Sequence, residues 1–214
     1  MFDPISVVGS HLAEIARIHA AELVGRQELQ TLFEHLRATI PALVKEIGGD
    51  ALPFGALHRA FGLLLREAAW PRDPIAVIEA MLEANTHEPR ELAEAARRAI
   101  VPDLLRRRGV RQLQPAIFEP AFEQRLIASW CRSDTYDPAT ALAVRARVEA
   151  YAARTPRDRA AVVCTAALRP LLADFLLRCG LRIGVYAYGE VPNDVTLVPA
   201  EVIEEKEPNA LAGA

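Results

Sequence analysis

Near Gly109 the hydrophobic pattern of this chain changes period, and that change limits the folds open to it. Before this point apolar residues recur every three or four positions, the pattern of helices that bury one face. After it, short apolar runs alternate with helical stretches, the order of strand–helix–strand units. The pattern predicts an α+β fold. Residues 1–109 form a helical part, 110–203 a small α/β part with a partly parallel sheet, and 204–214 a flexible tail.

The individual elements follow from spacing and from punctuation. Over 4–23, Val8, Leu12, Ile15, Ala16 and Leu23 mark one long amphipathic helix. Leu29, Leu32, Phe33 and Leu36 mark a second, ending before Pro41, and Phe54, Leu57, Phe61, Leu64 and Leu65 a third after Pro53. Asp73-Pro74 reads as an N-cap followed by proline at the first helical position, where its missing N–H is harmless. A helix over 89–108 should kink or break at Pro102, which removes a backbone donor. In the second part, 114–118, 160–164 and 181–188 read as strands, and Val195, Leu197 and Val202 supply a last one. Helices over 120–130, after Asp137-Pro138, and over 166–178 with Gly180 as its stop lie between them. The Glu204-Glu205-Lys206-Glu207 end has too little apolar surface to stay ordered.

The chain has 214 residues, 51% of them hydrophobic, enough for one sizeable core or two small ones. A net charge of −3 removes the bulk signature of a general nucleic-acid binder. Cys131, Cys164 and Cys179 are dispersed and form no CxxC pair, so neither disulfide framework nor zinc module is expected, which fits a reducing, cytoplasmic setting. No apolar run reaches the roughly 20 residues that span a bilayer, and acidic Asp3 follows Met1 where a signal segment would be basic. His11 and His19 are eight apart, against the four-residue spacing of a helical metal pair. Arg106, Arg107, Arg108 and Arg111 suit a phosphate or an acidic partner, but the dipole at a helix C-terminus favours such cations by itself. Cys164 and Cys179, in apolar surroundings, read as packing residues. Phosphate loops, Rossmann glycines, nucleophile elbows and zincin motifs are absent. The expectation is a non-enzymatic protein with no catalytic residue, cofactor or metal site, working by interaction.

One corner stands apart: Gly25-Arg26-Gln27-Glu28, where a glycine joins two helices and is followed by charged and polar side chains. Gly25 can take the left-handed conformation that ends the first helix, and the plainer alternative is a capped helix turn. Arg26 and Glu28 offer a guanidinium fork and a carboxylate to a partner.

The run from His11-Leu12-Ala13-Glu14 through His19-Ala20-Ala21-Glu22-Leu23-Val24-Gly25-Arg26-Gln27-Glu28 resembles the FlhA-type export-gate (FHIPEP) family of flagellar and type III secretion systems. Further matches follow in order: Pro41 to Glu46, Leu63 to Glu67, Arg72-Asp73 and Ile78-Glu79-Ala80. The second part continues the likeness with Phe118-Glu119-Pro120 and Glu123, Tyr136-Asp137-Pro138, Thr165 with Leu168-Arg169-Pro170, and Tyr188-Gly189-Glu190-Val191-Pro192 with Asp194-Val195. Trp70-Pro71 departs from the branched aliphatic pair the family places before Arg-Asp. The resemblance implies the last two subdomains of the family's cytoplasmic region, one helical and one α/β. It implies a place at the cytoplasmic face of the bacterial inner membrane and a ring, usually ninefold, of like chains. It also implies export chaperone–substrate complexes or gatekeeper proteins as partners. Arg26, Gln27, Glu28, Arg66 and Arg72 are then the expected subunit or subdomain contacts. Met1 directly before the matched region also raises a second expectation, a free-standing short paralogue acting as a soluble adaptor.

Overall fold

The computed structural model describes residues 3–69, 73–131 and 137–205. Ten helices are described: α1 (Pro4–Ile18), α2 (Ala20–Leu23), α3 (Arg26–Thr39), α4 (Pro41–Glu46), α5 (Phe54–Arg66), α6 (Pro74–Glu83), α7 (Pro89–Arg107), α8 (Pro120–Trp130), α9 (Pro138–Arg154) and α10 (Arg169–Arg178). Six strands accompany them: β1 (Gln112–Leu113), β2 (Ala116–Phe118), β3 (Ala161–Cys164), β4 (Gly184–Ala187), β5 (Thr196–Leu197) and β6 (Glu201–Ile203). The chain divides into two compact units, Met1–Leu104 and Leu105–Ala214, with the boundary inside α7.

The first unit is helical, and its core confirms the spacing over α3, α5 and α6. Leu29, Phe33 and Leu36 of α3 are buried against Leu57, Phe61 and Leu64 of α5 and Ile78 of α6 in one cluster. Each such side chain contributes about 1.5–3 kcal/mol through removal from water. Asp73 caps α6 as expected, its Oδ1 accepting from the Ile75 N–H at 2.9 Å. Three expectations fail here. The 4–23 helix is interrupted at His19, and its apolar face is not core: Val8, Leu12, Ile15 and Leu23 are 57%, 59%, 42% and 60% exposed. Periodicity shows which face of a helix is apolar, not whether the chain supplies anything to cover it. Secondly, α7 does not break at Pro102 but runs through it, with Ile100, Val101 and Leu105 around the proline buried. Thirdly, Gly25 is not left-handed: with φ −87° and ψ −171° it is the extended N-cap of α3.

The second unit holds a four-stranded sheet in the order β4-β3-β2-β6, every pair parallel, and a separate parallel pair β1-β5. The one last strand expected from Val195, Leu197 and Val202 is two, β5 and β6, serving different sheets. Phe122, Leu126 and Trp130 of α8, Val144 and Val148 of α9, and Leu172, Phe175 and Leu176 of α10 pack with the strands into its core. Trp130 and Phe175 meet with ring centroids 5.2 Å apart. Gly109 (φ 68°) and Gly180 (φ 76°) take the left-handed conformation just past α7 and α10 and close them, Gly180 as expected.

Two acidic caps start helices in this unit. Glu119 accepts from the Ala121 and Phe122 N–H groups at 2.9 and 2.7 Å, and Asp137 from the Thr140 N–H at 2.9 Å. The backbone bonds to Ala121 and Phe122 hold Glu119 below its ordinary value of 4.5, and the Thr140 hydroxyl and N–H hold Asp137 below 3.8. A folded-state pKa below the unfolded one gives stability that is complete above the ordinary value and is lost as pH falls through the lowered one. Urea midpoints followed from about pH 5 to about pH 3 are therefore expected to fall, and a flat profile would remove these caps from the account.

Candidate functional site

Six of the second-unit motif residues gather at one place, the carboxyl ends of three parallel strands. Glu119 and Glu123 follow β2, Thr165 and Arg169 follow β3, and Tyr188 and Glu190 follow β4. Glu123 is buried and its Oε1 accepts from the Thr165 N–H at 2.7 Å, which ties α8 to the loop after β3. Glu190 is buried and its Oε2 accepts from the Ala187 N–H at 2.9 Å, which fixes the 3-10 turn Tyr188–Glu190. Arg169, at the start of α10, is 1% exposed. Tyr188 stands beside this cluster, half exposed; partial burial, then Glu123, then Cys164 raise its phenol above the ordinary value of 10.0.

Ligands of open parallel sheets sit at such carboxyl ends. Here, however, both buried carboxylates are engaged by backbone N–H groups, and Cys164 is fully buried. A buried carboxylate that satisfies a backbone donor orders the loops around it. The motif residues at this end are latches that set the loop geometry. Among the described residues no group of three or more His, Cys, Asp and Glu is placed to hold a metal ion.

The contact residues expected from the sequence lie elsewhere, in the first unit. Arg26, Gln27 and Glu28 occupy the first turn of α3 and all three are exposed. The Glu28 carboxylate accepts from the Gly25 N–H at 2.9 Å, and a Cβ at Gly25 would lie 2.9 Å from that same oxygen. A larger residue there would need only the exposed Glu28 carboxylate to move aside. Arg66 is exposed in the last turn of α5. Among the described residues the side chains of Arg26, Gln27 and Arg66 have no hydrogen-bond or ion-pair partner. Arg72, Tyr136 and the 206–214 end lie outside the described residues.

The arginine cluster is partly absorbed within the second unit. Arg106 Nε lies 3.4 Å and Arg111 Nη1 3.8 Å from Asp194 Oδ2, and the Arg106 bond holds that carboxyl below its ordinary value. Of the cysteines, Cys131 is exposed, so the packing role suits Cys164 and half-buried Cys179.

Sequence reasoning missed two polar anchors. Arg97 Nη1 donates to Glu67 Oε2 at 2.6 Å, with the side chains 4% and 18% exposed. The buried Tyr151 hydroxyl donates to the Gln114 carbonyl at 2.5 Å and accepts from the Ala161 N–H at 3.0 Å. Burial pushes that phenol up. Both pairs join residues far apart in sequence, and nothing local announces them.

Residues 1–196 match the FHIPEP family. The chain belongs to that family. Flagellar biosynthesis protein FlhA of Bacillus subtilis is 33% identical over 104 residues, 48% of this chain and 15% of that protein. FlhA of Escherichia coli K12 is 27% identical over 179 residues, 81% of this chain and 26% of that protein. This FHIPEP chain thus spans about a quarter or less of these relatives. Among solved structures, a chain of the Chlamydia pneumoniae CdsV and CdsO protein complex superposes with a TM-score of 0.82 at 18% identity. That superposition covers 94% of this chain and 62% of the other. The nonameric SctV-C of EPEC superposes with a TM-score of 0.76 at 19% identity, over 90% of this chain and 61% of the other. These two likenesses establish the α+β fold expected from the sequence. Among the described residues no helix is long and apolar enough to cross a membrane.

Proposed function

We infer that this chain is a cytoplasmic module of a bacterial type III protein-export gate. It forms ring contacts with further copies and docks export substrates, chaperones or gatekeepers at the inner face of the membrane. It works by binding and not by catalysis. The observation that carries this is the family match over residues 1–196, and the nonameric assembly of the similar SctV-C supports the ring. The CdsV and CdsO complex supports a docking role. Residues 1–109 and 110–203 are assigned to the family's last two subdomains. Subunit or subdomain contacts are assigned to Arg26, Gln27, Glu28, Arg66 and Arg72, the first, second and fourth of which present unengaged side chains.

Sedimentation velocity over a concentration series tests the assembly. Species larger than one chain are expected to grow with concentration, and Arg26→Glu combined with Arg66→Glu to weaken them about tenfold or more through like-charge repulsion, with ellipticity unchanged. Monomers at every concentration, together with no retention of chaperones or gatekeepers, would overturn this function.

A further inference from the structure

The amino ends of the second unit's strands, opposite the latches, border a groove of about 740 Å³. This lies within the range of about 300–1,000 Å³ typical of ligand sites. Buried Leu105, Leu113, Val148 and Tyr186 line it. Exposed Arg108, Arg157 and Arg182 also line it, and among the described residues none of the three guanidinium groups has a hydrogen-bond or ion-pair partner. Its two acidic residues are already matched: Glu149 lies 3.8 Å from Arg145, and Asp158 3.8 Å from Arg159. The groove therefore presents an apolar lining with unmatched positive charge around it. The charge is local: residues 105–214 carry fifteen Lys and Arg against thirteen Asp and Glu, whereas 1–104 carry ten against fifteen.

We propose that this groove docks an acidic amphipathic peptide segment of a partner protein, its apolar side chains on the lining and its carboxylates on Arg108, Arg157 and Arg182. Guanidinium forks recognise carboxylates in a bidentate manner, and apolar anchors in a desolvated pocket supply most of the affinity of such contacts. A nucleic acid fits poorly. Its single-stranded binders use aromatic platforms along a basic track, while the one aromatic ring here, Tyr186, is buried over Gly184. The docking role proposed above gives this groove its biological setting, and the inference rests on that reading for it. Peptide capture and chain assembly are measured separately, so failure of one is distinguishable from failure of the other.

Fluorescence anisotropy tests the proposal, with the full chain and a labelled helical peptide that carries leucines on one face and glutamates on the other. Affinity is expected to exceed by about tenfold that of the same peptide with lysines for glutamates, or with serines for leucines, and to weaken with added salt. The triple variant Arg108→Glu, Arg157→Glu, Arg182→Glu should lose about tenfold or more, with its ellipticity and thermal midpoint retained. Ala152→Trp narrows the groove from α9 without changing charge and should lose binding as well. Unchanged affinity in the folded triple variant overturns the proposal; if that variant fails to fold, unchanged affinity in Ala152→Trp does so. An oligothymidine bound as tightly as the acidic peptide would likewise reject it.

Discussion

Replacing Glu67 by alanine is expected to cost the folded chain about 1.5–3 kcal/mol, the range for losing a hydrogen bond to a charged group. The physical reason lies in what remains. Arg97 is 4% exposed, so its guanidinium would stay buried after losing a 2.6 Å charge-assisted bond. Glu67 is held where it is by the end of α5. Ala68, next in the chain, takes φ 53°, and the Ala69 N–H bonds back to the Leu64 carbonyl. That closing turn directs Glu67 inward at a cost of about 1–2 kcal/mol for a left-handed alanine. Urea denaturation followed by ellipticity reads the loss directly. The double replacement Glu67→Leu with Arg97→Met should recover much of it, because a well-packed apolar pair removes the buried guanidinium together with its carboxylate. Equal midpoints for wild type and Glu67→Ala would show that the pair contributes nothing.

Tyr151→Phe is expected to cost about 1–3 kcal/mol while leaving the core volume unchanged. The hydroxyl bridges the Gln114 carbonyl, between β1 and β2, and the Ala161 N–H at the start of β3. Phenylalanine fills the same ring space but leaves a buried donor and acceptor without that oxygen. The loss should therefore appear in the second unit alone. Hydrogen exchange at Ala161 is the specific reading: faster exchange there, with α3 and α5 amides unchanged, is the expected pattern. Unchanged exchange at Ala161 would remove the hydroxyl from its role as a sheet anchor.

Much of this fold is legible in the sequence because its helices carry both periodicity and punctuation. Leu29, Phe33 and Leu36 give a face, and Asp73-Pro74, Pro120 and Asp137-Pro138 give starting points that the structure keeps. Other features depend on what lies across from a residue, which spacing does not record. The apolar stripe of α1 is such a case, since no described element covers Val8, Leu12 or Ile15. Gly25 is another, because a glycine between two helices can start the second as well as end the first. Pro102 removes one donor, yet the helix continues through it with its apolar neighbours buried. The strands β1 and β5 have two residues each, too few for alternation to show. The groove is drawn from three separate stretches, around Arg108, Arg157 and Arg182, and no single window of sequence contains it.

The sheet of the second unit has a consequence for the order in which the chain recovers from denaturant. Its β2 pairs with β6, and β1 with β5, so the first residues of the unit must find some of its last ones. The first unit closes through neighbours such as α3 and α4. Local contacts form fast and distant ones slowly, because the intervening loop must close before any pairing rewards it. During refolding the helices are expected to form in an interval before β6 claims one flank of β2. An unclaimed strand flank pairs readily with a stranger, so crowding during that interval favours aggregation, and dilution favours the native sheet.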